Sequence, residues 1–292
     1  MLLILQSQAE FKENPLVYEY VTAIATIFLV VFVIVVILIW LFKVIEGLYV
    51  DFIGGKPFYR HFYFFVKELK PNQKKILENE FNFYKLLNKK EQRFFRHRVC
   101  KFINKIEFIG KEGITIKDEH LVLVSATAVM ITFGFRKYLI EALDTIIIYP
   151  KHYYSKQSNQ DHKGEYNPRM KALVLSWKDF IEGYAIEDDN LNLGIHEVVH
   201  AVHLNSLKEK DISAYLFKIR FIELTNFIEK NPHIREKLTK TKYIRDYAFT
   251  NHFEFVSVLV ENFIETPSEF RSQFPEIYVI VKQMLNFNFA GY

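Results

Sequence analysis

Residues 190–204 read NLNLGIHEVVHAVHL, which puts three histidines and a glutamate into one otherwise apolar stretch. A polar group buried without a partner costs on the order of 1–3 kcal/mol. These side chains therefore mark either a metal site or a histidine-rich core helix with its own hydrogen-bond partners. His196-Glu197-Val198-Val199-His200 matches H-E-x-x-H. No helix breaker follows Gly194, and Asp188, Asp189 and Asn190 are N-cap candidates just before it, so the run is predicted to be helical. Residues four apart share a helix face, which lets both imidazoles turn to one metal. Zinc accepts neutral imidazole nitrogens, and its catalytic sites keep one position for water. Glu197 falls about 100° round the helix from His196. It stands beside the ligands, where a general base for hydrolysis belongs. One zinc ion is the expected cofactor, with His196 and His200 as ligands.

A third protein ligand has to come from elsewhere. His203 lies nearly on the same face, but about 10 Å further along the axis at 1.5 Å per residue. A straight helix cannot bring it to a metal held between His196 and His200, so it is read as a residue behind the ligands or as packing. The better source is RDYAFTNHFEFVSVLVENFIETPSEF, a second apolar helix that carries Glu254 and Glu261 seven residues apart and hence on one face. A carboxylate among Phe253, Phe255 and Val256 is expensive to bury unless it is paired or bound to metal. Glu254 is the expected third ligand. Glu261 is expected to orient a ligand histidine from behind, the alternative being a solvated helix charge. His252 points away from Glu254 and reads as a surface or capping residue.

The rest of the chain bounds the setting of this site. Of its 292 residues 50% are hydrophobic and 25% charged, enough for one large core and too ordinary for wholesale disorder. A net charge of +4 gives no reason to expect a nucleic-acid partner. One cysteine, Cys100, excludes a disulfide framework and favours a reducing compartment. From Val21 to Phe42 the chain reads VTAIATIFLVVFVIVVILIWLF, with no charge, Gly or Pro. About 20 such residues suffice to cross a bilayer as a helix, and Trp40 fits an interfacial anchor. Residues 1–20 form a short tail before this transmembrane helix. Glu10, Glu13 and Glu19, with no small-residue cleavage pattern after the run, speak against a cleaved signal peptide. Lys43, Lys56 and Arg60 follow the span and Lys12 precedes it. The positive-inside rule therefore expects a single-pass membrane protein of the plasma or inner membrane, N-terminus outside and the large C-terminal part cytoplasmic.

Residues 43–68 are an aromatic and basic linker that either lies on the membrane surface or simply joins domain to anchor. Beyond it, Ile76, Phe83 and Leu87, then Phe94, Phe95, Val99 and Phe102, recur at helical spacing on either side of a break at Asn88. KEGITIKDEH (111–120) alternates as a strand, LVLVSATAVMITFGF (121–135) reads as a buried helix, and TIIIYP (145–150) as a strand closed by proline. Residues 151–169 are polar and turn-rich, a surface loop. KALVLSW (171–177) is a strand, KDFIEGYAIEDDN (178–190) a connector, and helices dominate thereafter. The mixture is one α+β domain.

VLSWKDFIEGYAIEDDNLNLGIHEVVHAVH and DYAFTNHFEFVSVLVENFIETPSEF together resemble the Mlc titration factor A family of zinc-dependent peptidases, whose core is similar to the catalytic domain of lethal-factor-type toxins. The likeness extends upstream through ILENEFNFYKLL, RFFRHRVCKFI and IIIYP, from about Leu69 to Phe287. It implies a mainly helical, zincin-type metallopeptidase domain with a small β-sheet over residues 69–292. It further implies a gluzincin-like site: ligands His196, His200 and Glu254, catalytic Glu197, and Tyr247 placed to hydrogen-bond the tetrahedral oxyanion. On the residues alone Tyr247 reads as a core aromatic. The family member that named the group binds a glucose-related transcriptional repressor and shows aminopeptidase-type activity. This chain departs from the family at His203, where Asp is frequent, at Val198 and Val199, and in its membrane segment.

Residues and resemblance together give a membrane-anchored zinc peptidase acting on a peptide or protein substrate, with the bilayer as partner through residues 21–42. KALVLSW or GEYNP forms the sheet edge beside the cleft, where a peptide adds as a strand. The alternative is a regulatory binding module of the same fold that sequesters a transcription factor or membrane protein.

Overall fold

The computed structural model describes residues 15–155, 160–185 and 190–292. The chain divides into two compact units, Met1–Pro57 and Phe58–Tyr292. In the first, one helix, α1 (Pro15–Tyr49), contains the whole 21–42 run and continues into a π-helical turn over Val50–Gly54. Its side chains from Tyr18 through Ile45 are exposed, unlike those of a core helix in a soluble protein. Among the described residues it is the one helix long and apolar enough to cross a membrane.

The second unit is mainly helical. Helices α2 (Pro71–Glu80), α3 (Asn82–Leu86) and α4 (Lys89–Lys105) come first, α4 opening on a capping box between Asn88 and Glu91. Phe95, Val99 and Phe102 of α4 are fully buried, as their spacing predicts. Strand β1 (Glu107–Gly110) leads to α5 (Asp118–Ile131), which is buried on all sides from Val122 to Ile131. A helix apolar all round belongs in the middle of a core, and α2, α4 and the motif helix surround it. Arg98 of α4 lies fully buried beside the C-terminal end of α5. Its guanidinium donates to the carbonyls of Thr132 and Phe133 at 3.0 Å and of Phe135 at 2.7 Å, satisfying groups a helix end leaves open. It also holds residues 58–68, read in the sequence as linker, through the Tyr63 hydroxyl at 2.5 Å and the Arg60 carbonyl at 3.2 Å.

The sheet has the order β1-β2-β6-β5, with β2 (Thr145–Tyr149), β5 (Gly164–Asn167) and β6 (Ala172–Ser176). β1, β2 and β6 run parallel, and β5 is antiparallel to β6 with Tyr166 opposite Leu173. Between β2 and β5 a hairpin pairs β3 (Tyr153–Ser155) with β4 (Gln160–His162). The C-terminal half is helical: α6 (Trp177–Ala185), α7 (Leu193–Lys208), α8 (Ile212–Lys230), α9 (Pro232–Lys240), a 3-10 turn (Asp246–Thr250), α10 (His252–Glu265), α11 (Pro267–Gln273) and α12 (Pro275–Met284).

Three expectations change. KEGITIKDEH is not a strand: Glu112 and Gly113 sit at φ 49° and 86° in a turn closed by Ile114 N–H on the Lys111 carbonyl, and the strand lies upstream at β1. Alternation marks extended backbone there, but a ladder partner is missing among the described residues. The surface loop of 151–169 holds the hairpin and the edge strand β5, whose polar residues hide the strand pattern. The connector after KALVLSW is α6, started by a capping arrangement in which Ser176 Oγ donates to Asp179 at 2.5 Å and accepts its N–H at 3.3 Å.

Candidate metal centre

The motif lies on α7, packed between α5, α8, α10 and β5. Its start is set by Asn192, whose side chain accepts the Ile195 N–H at 3.0 Å. Asp188 and Asp189 lie outside the described residues, and Asn190 does not cap the helix: its Oδ1 accepts from Thr266 at 2.9 Å. Ile195, Val198, Val199, Ala201 and Val202 are buried in the core, which fixes the rotation of α7 and turns His196 and His200 toward α10. A Cβ at Gly194 would come within 2.5 Å of the Phe180 ring, so α6 packs this close only against glycine.

His196, His200 and Glu254 each offer one ligand atom, and these atoms lie within 4.8 Å of one another. His196 Nε2 is 2.8 Å from Glu254 Oε2 and 3.1 Å from His200 Nε2. Glu254 is delivered by the first turn of α10, which Asn251 caps by accepting the Phe253 and Glu254 N–H groups at 2.8 and 3.1 Å. His252, next to that cap, is exposed as expected.

Behind the cluster the orientation is built twice over. Glu261, fully buried, accepts from His196 Nδ1 at 2.7 Å and from the Asn192 N–H at 3.0 Å. Arg245 reaches the same Glu261 oxygen at 2.5 Å. A carboxylate held this way accepts from Nδ1–H and keeps the proton on Nδ1, leaving the Nε2 lone pair for the cluster. His200 Nδ1 meets Ser257 Oγ at 3.3 Å, which leaves its Nε2 facing inward too. Burial lowers the His196 pKa, but hydrogen bonds to Glu254 and Glu261 overcome it and raise the value to about 9. Burial likewise pushes Glu254 up, and the two histidines more than offset it, holding this carboxyl well below the usual range.

Glu197 is buried beside the pair, its pKa raised by burial against the opposing pull of His196 and His200. The Tyr166 N–H of edge strand β5 hydrogen-bonds it. A Cβ at Gly164 would lie 2.7 Å from Leu193 and 3.0 Å from Glu197, so the strand passes flush against the motif helix. The Tyr247 ring sits 6.0 Å from that of His196 and its hydroxyl hydrogen-bonds Glu254. Burial, then Glu254, pushes its pKa up to about 12. Tyr247 is 53% exposed, so it stands at the solvent side of the cluster instead of filling a core. Tyr153, at the base of the hairpin, is buried with its hydroxyl unpartnered, and burial, Glu165 and Glu197 raise its pKa.

His203 stands apart. Its ring packs against Phe253, Phe221 and Phe217 at 4.5, 4.6 and 5.3 Å, and Nδ1 has no partner among the described residues. No hydrogen bond among the described residues links it to the cluster. Local reading missed Asn192, Arg245, Asn251, Ser257, Gly164 and the Tyr166 amide. Asn251 had a signal, an N-cap residue three before Glu254. Arg245 had none, because its partner is set by the fold.

A helical domain with a small sheet, carrying two histidines and a glutamate on facing helices, belongs to the metallopeptidase class. Residues 60–286 match the model of the glucose-regulated metallopeptidase M90 family, the Mlc titration factor A group, and the chain belongs to that family. The match begins upstream of Leu69 and takes in Tyr63. An uncharacterised protein of Synechocystis sp. is 22% identical over 260 residues, covering 80% of this chain and 91% of that protein.

Proposed function

We propose that this chain is a membrane-anchored zinc peptidase with His196, His200 and Glu254 as ligands, Glu197 as general base and Tyr247 as oxyanion donor. The observation that carries the reading is the convergence of two Nε2 atoms and one carboxylate oxygen at Glu197. The donor set fits zinc: two imidazole lone pairs brought to 3.1 Å beside a carboxylate repel unless a cation or proton lies among them. When bound, zinc supplies Lewis-acid polarisation of the scissile carbonyl and makes water more acidic.

Glu197 takes a proton from the attacking water and hands it to the leaving amine. Its raised pKa brings it closer to working pH than an exposed glutamate. Tyr247, protonated at neutral pH, donates to the charge that develops on the carbonyl oxygen. Glu261 and Arg245 keep His196 in one tautomer and orientation. A peptide laid along the outer edge of β5 as an added strand passes Glu197 at Gly164. On this reading helix α1 crosses the bilayer, and the excess of Lys43, Lys56 and Arg60 after it over Lys12 before it supports a cytoplasmic domain.

The test compares the full chain with Glu197→Gln on a peptide library. Both proteins are expected to hold one zinc, with kcat/KM falling about 10²–10⁴-fold in the variant. Zinc without turnover in the parent protein would favour a binding module that sequesters a regulatory partner. Absence of zinc would sink the site.

A further inference from the structure

We infer that residues 58–65 form a second membrane contact, in which an aromatic face of the peptidase unit lies in the bilayer interface. The inference rests on the reading of α1 as a spanning helix. The segment has no regular secondary structure, and its side chains divide between two directions. His61 and Tyr63 point inward: the His61 ring stacks on Phe94 at 5.1 Å and packs on Phe133 at 4.8 Å, and Tyr63 packs on His97 at 4.3 Å. Phe62, Phe64 and Phe65 point outward, exposed to 65%, 85% and 85%. The outward rings form one cluster, with Tyr59 6.2 Å from Phe62 and Phe62 4.9 Å from Phe64.

Exposed large apolar residues elsewhere in this unit, such as Leu86, Met170 and Ile222, are not part of so dense a run, and scattered ones need no explanation. A contiguous exposed aromatic patch does. Burial in water-facing protein is not what this segment achieves, because the backbone is pinned with the phenylalanines outside. Arg98 holds Tyr63 and the Arg60 carbonyl, and Arg136 donates to the Tyr59 carbonyl at 3.1 Å while its guanidinium covers the Tyr59 ring at 3.7 Å.

The occupant follows from the chain itself. The apolar helix runs to Ile53, and n residues reach at most about 3.6 Å × n. Counted from the end of the apolar run at Phe42, eleven helical residues add about 16 Å, so Phe58 lies within about 35 Å of the end of the span and Phe64 within about 56 Å, even with the chain taut. Of all possible partners, only the bilayer is held within that reach covalently. Phenylalanine rings bury at the boundary of headgroups and acyl chains, Tyr59 suits the headgroup level, and the exposed Lys56 and Lys67 on either side suit anionic headgroups.

The experiment uses the full chain with Cys100→Ser, reconstituted in nanodiscs of phosphatidylcholine and phosphatidylglycerol. A spin label is placed in turn at Ile34→Cys, Phe64→Cys, Leu86→Cys and Met170→Cys, all exposed positions that tolerate it. Collision with oxygen is compared with collision with a water-soluble nickel chelate. The ratio at position 64 is expected to shift to the lipid side, as at position 34, while 86 and 170 stay aqueous. An aqueous label at 64 beside a lipidic one at 34 overturns the inference and leaves the span intact. A label at 64 shielded from both reagents means a protein partner and also overturns it. An aqueous label at 34 removes the span and the inference with it.

Discussion

His196 and His203 sit seven residues apart on one helix, are buried to similar degrees at 7% and 2% exposure, and could hardly differ more. Both nitrogens of His196 meet carboxylates, and its pKa rises to about 9. His203 is surrounded by phenylalanines, one nitrogen has no partner, and burial with the charges of His200 and His252 lowers its pKa to about 4. Residue type and burial do not make a ligand. The facing element decides: α10 offers Glu254 and Glu261 to one histidine and Phe253 to the other.

The sharpest break of this contrast is paired substitution. His196→Ala is expected to abolish stoichiometric zinc binding, whereas His203→Phe keeps it, as metal analysis of the two purified proteins would read. Zinc lost equally from both would make His203 part of the site. A smaller effect tests the support behind His196. Glu261→Gln retains size but cannot accept from Nδ1, Arg245 and the Asn192 amide with the same charge. Zinc affinity by chelator competition is expected to fall about 10–100-fold. An unchanged affinity would reduce Glu261 to a structural partner of Arg245.

A separate effect, on stability and not on the metal, concerns pH. The folded pKa of His203, about 4, is below its unfolded value of about 6.5. Between these values the unfolded chain binds the extra proton, so stability rises with pH through the window and is lost as pH falls from about 6.5 to about 4. His203→Phe should flatten that slope, by roughly 3 kcal/mol at most across the window. Denaturant unfolding of the zinc-free proteins reads the difference, since the titration of the ligand residues is common to both. A variant that keeps the full acid loss would show that other buried histidines, such as His97 and His120, carry it.

How much of this could be read from the chain depended on whether the signal was local. α5 announced itself because burial on every side demands continuous apolar sequence, and TIIIY because an inner parallel strand reads as an apolar run even where one face is only partly buried. His196, His200 and Glu254 were legible because helical spacing and the cost of burying a carboxylate are local facts. The hairpin and α6 were not, and β5 was legible only as GEYNP, one of two candidate edges. Gln160–His162 and Gly164–Asn167 are edge elements whose polar side chains carry no strand pattern. Arg245 lies 16 residues from Glu261 and 49 from His196, and only the folded path of the 3-10 turn brings it there.

The buried guanidinium of Arg98 has a consequence in entropy. It ties the carbonyls just after α5 to Tyr63 and the Arg60 backbone, so the backbone that carries the outward rings is fixed before anything touches them. A loop that must be ordered on contact gives up about 0.5–1.5 kcal/mol for each rotamer-rich side chain it immobilises. Here most of the backbone share of that loss is met during folding. The aromatic face is therefore preorganised, and the free energy of contact goes into association instead of into fixing the loop.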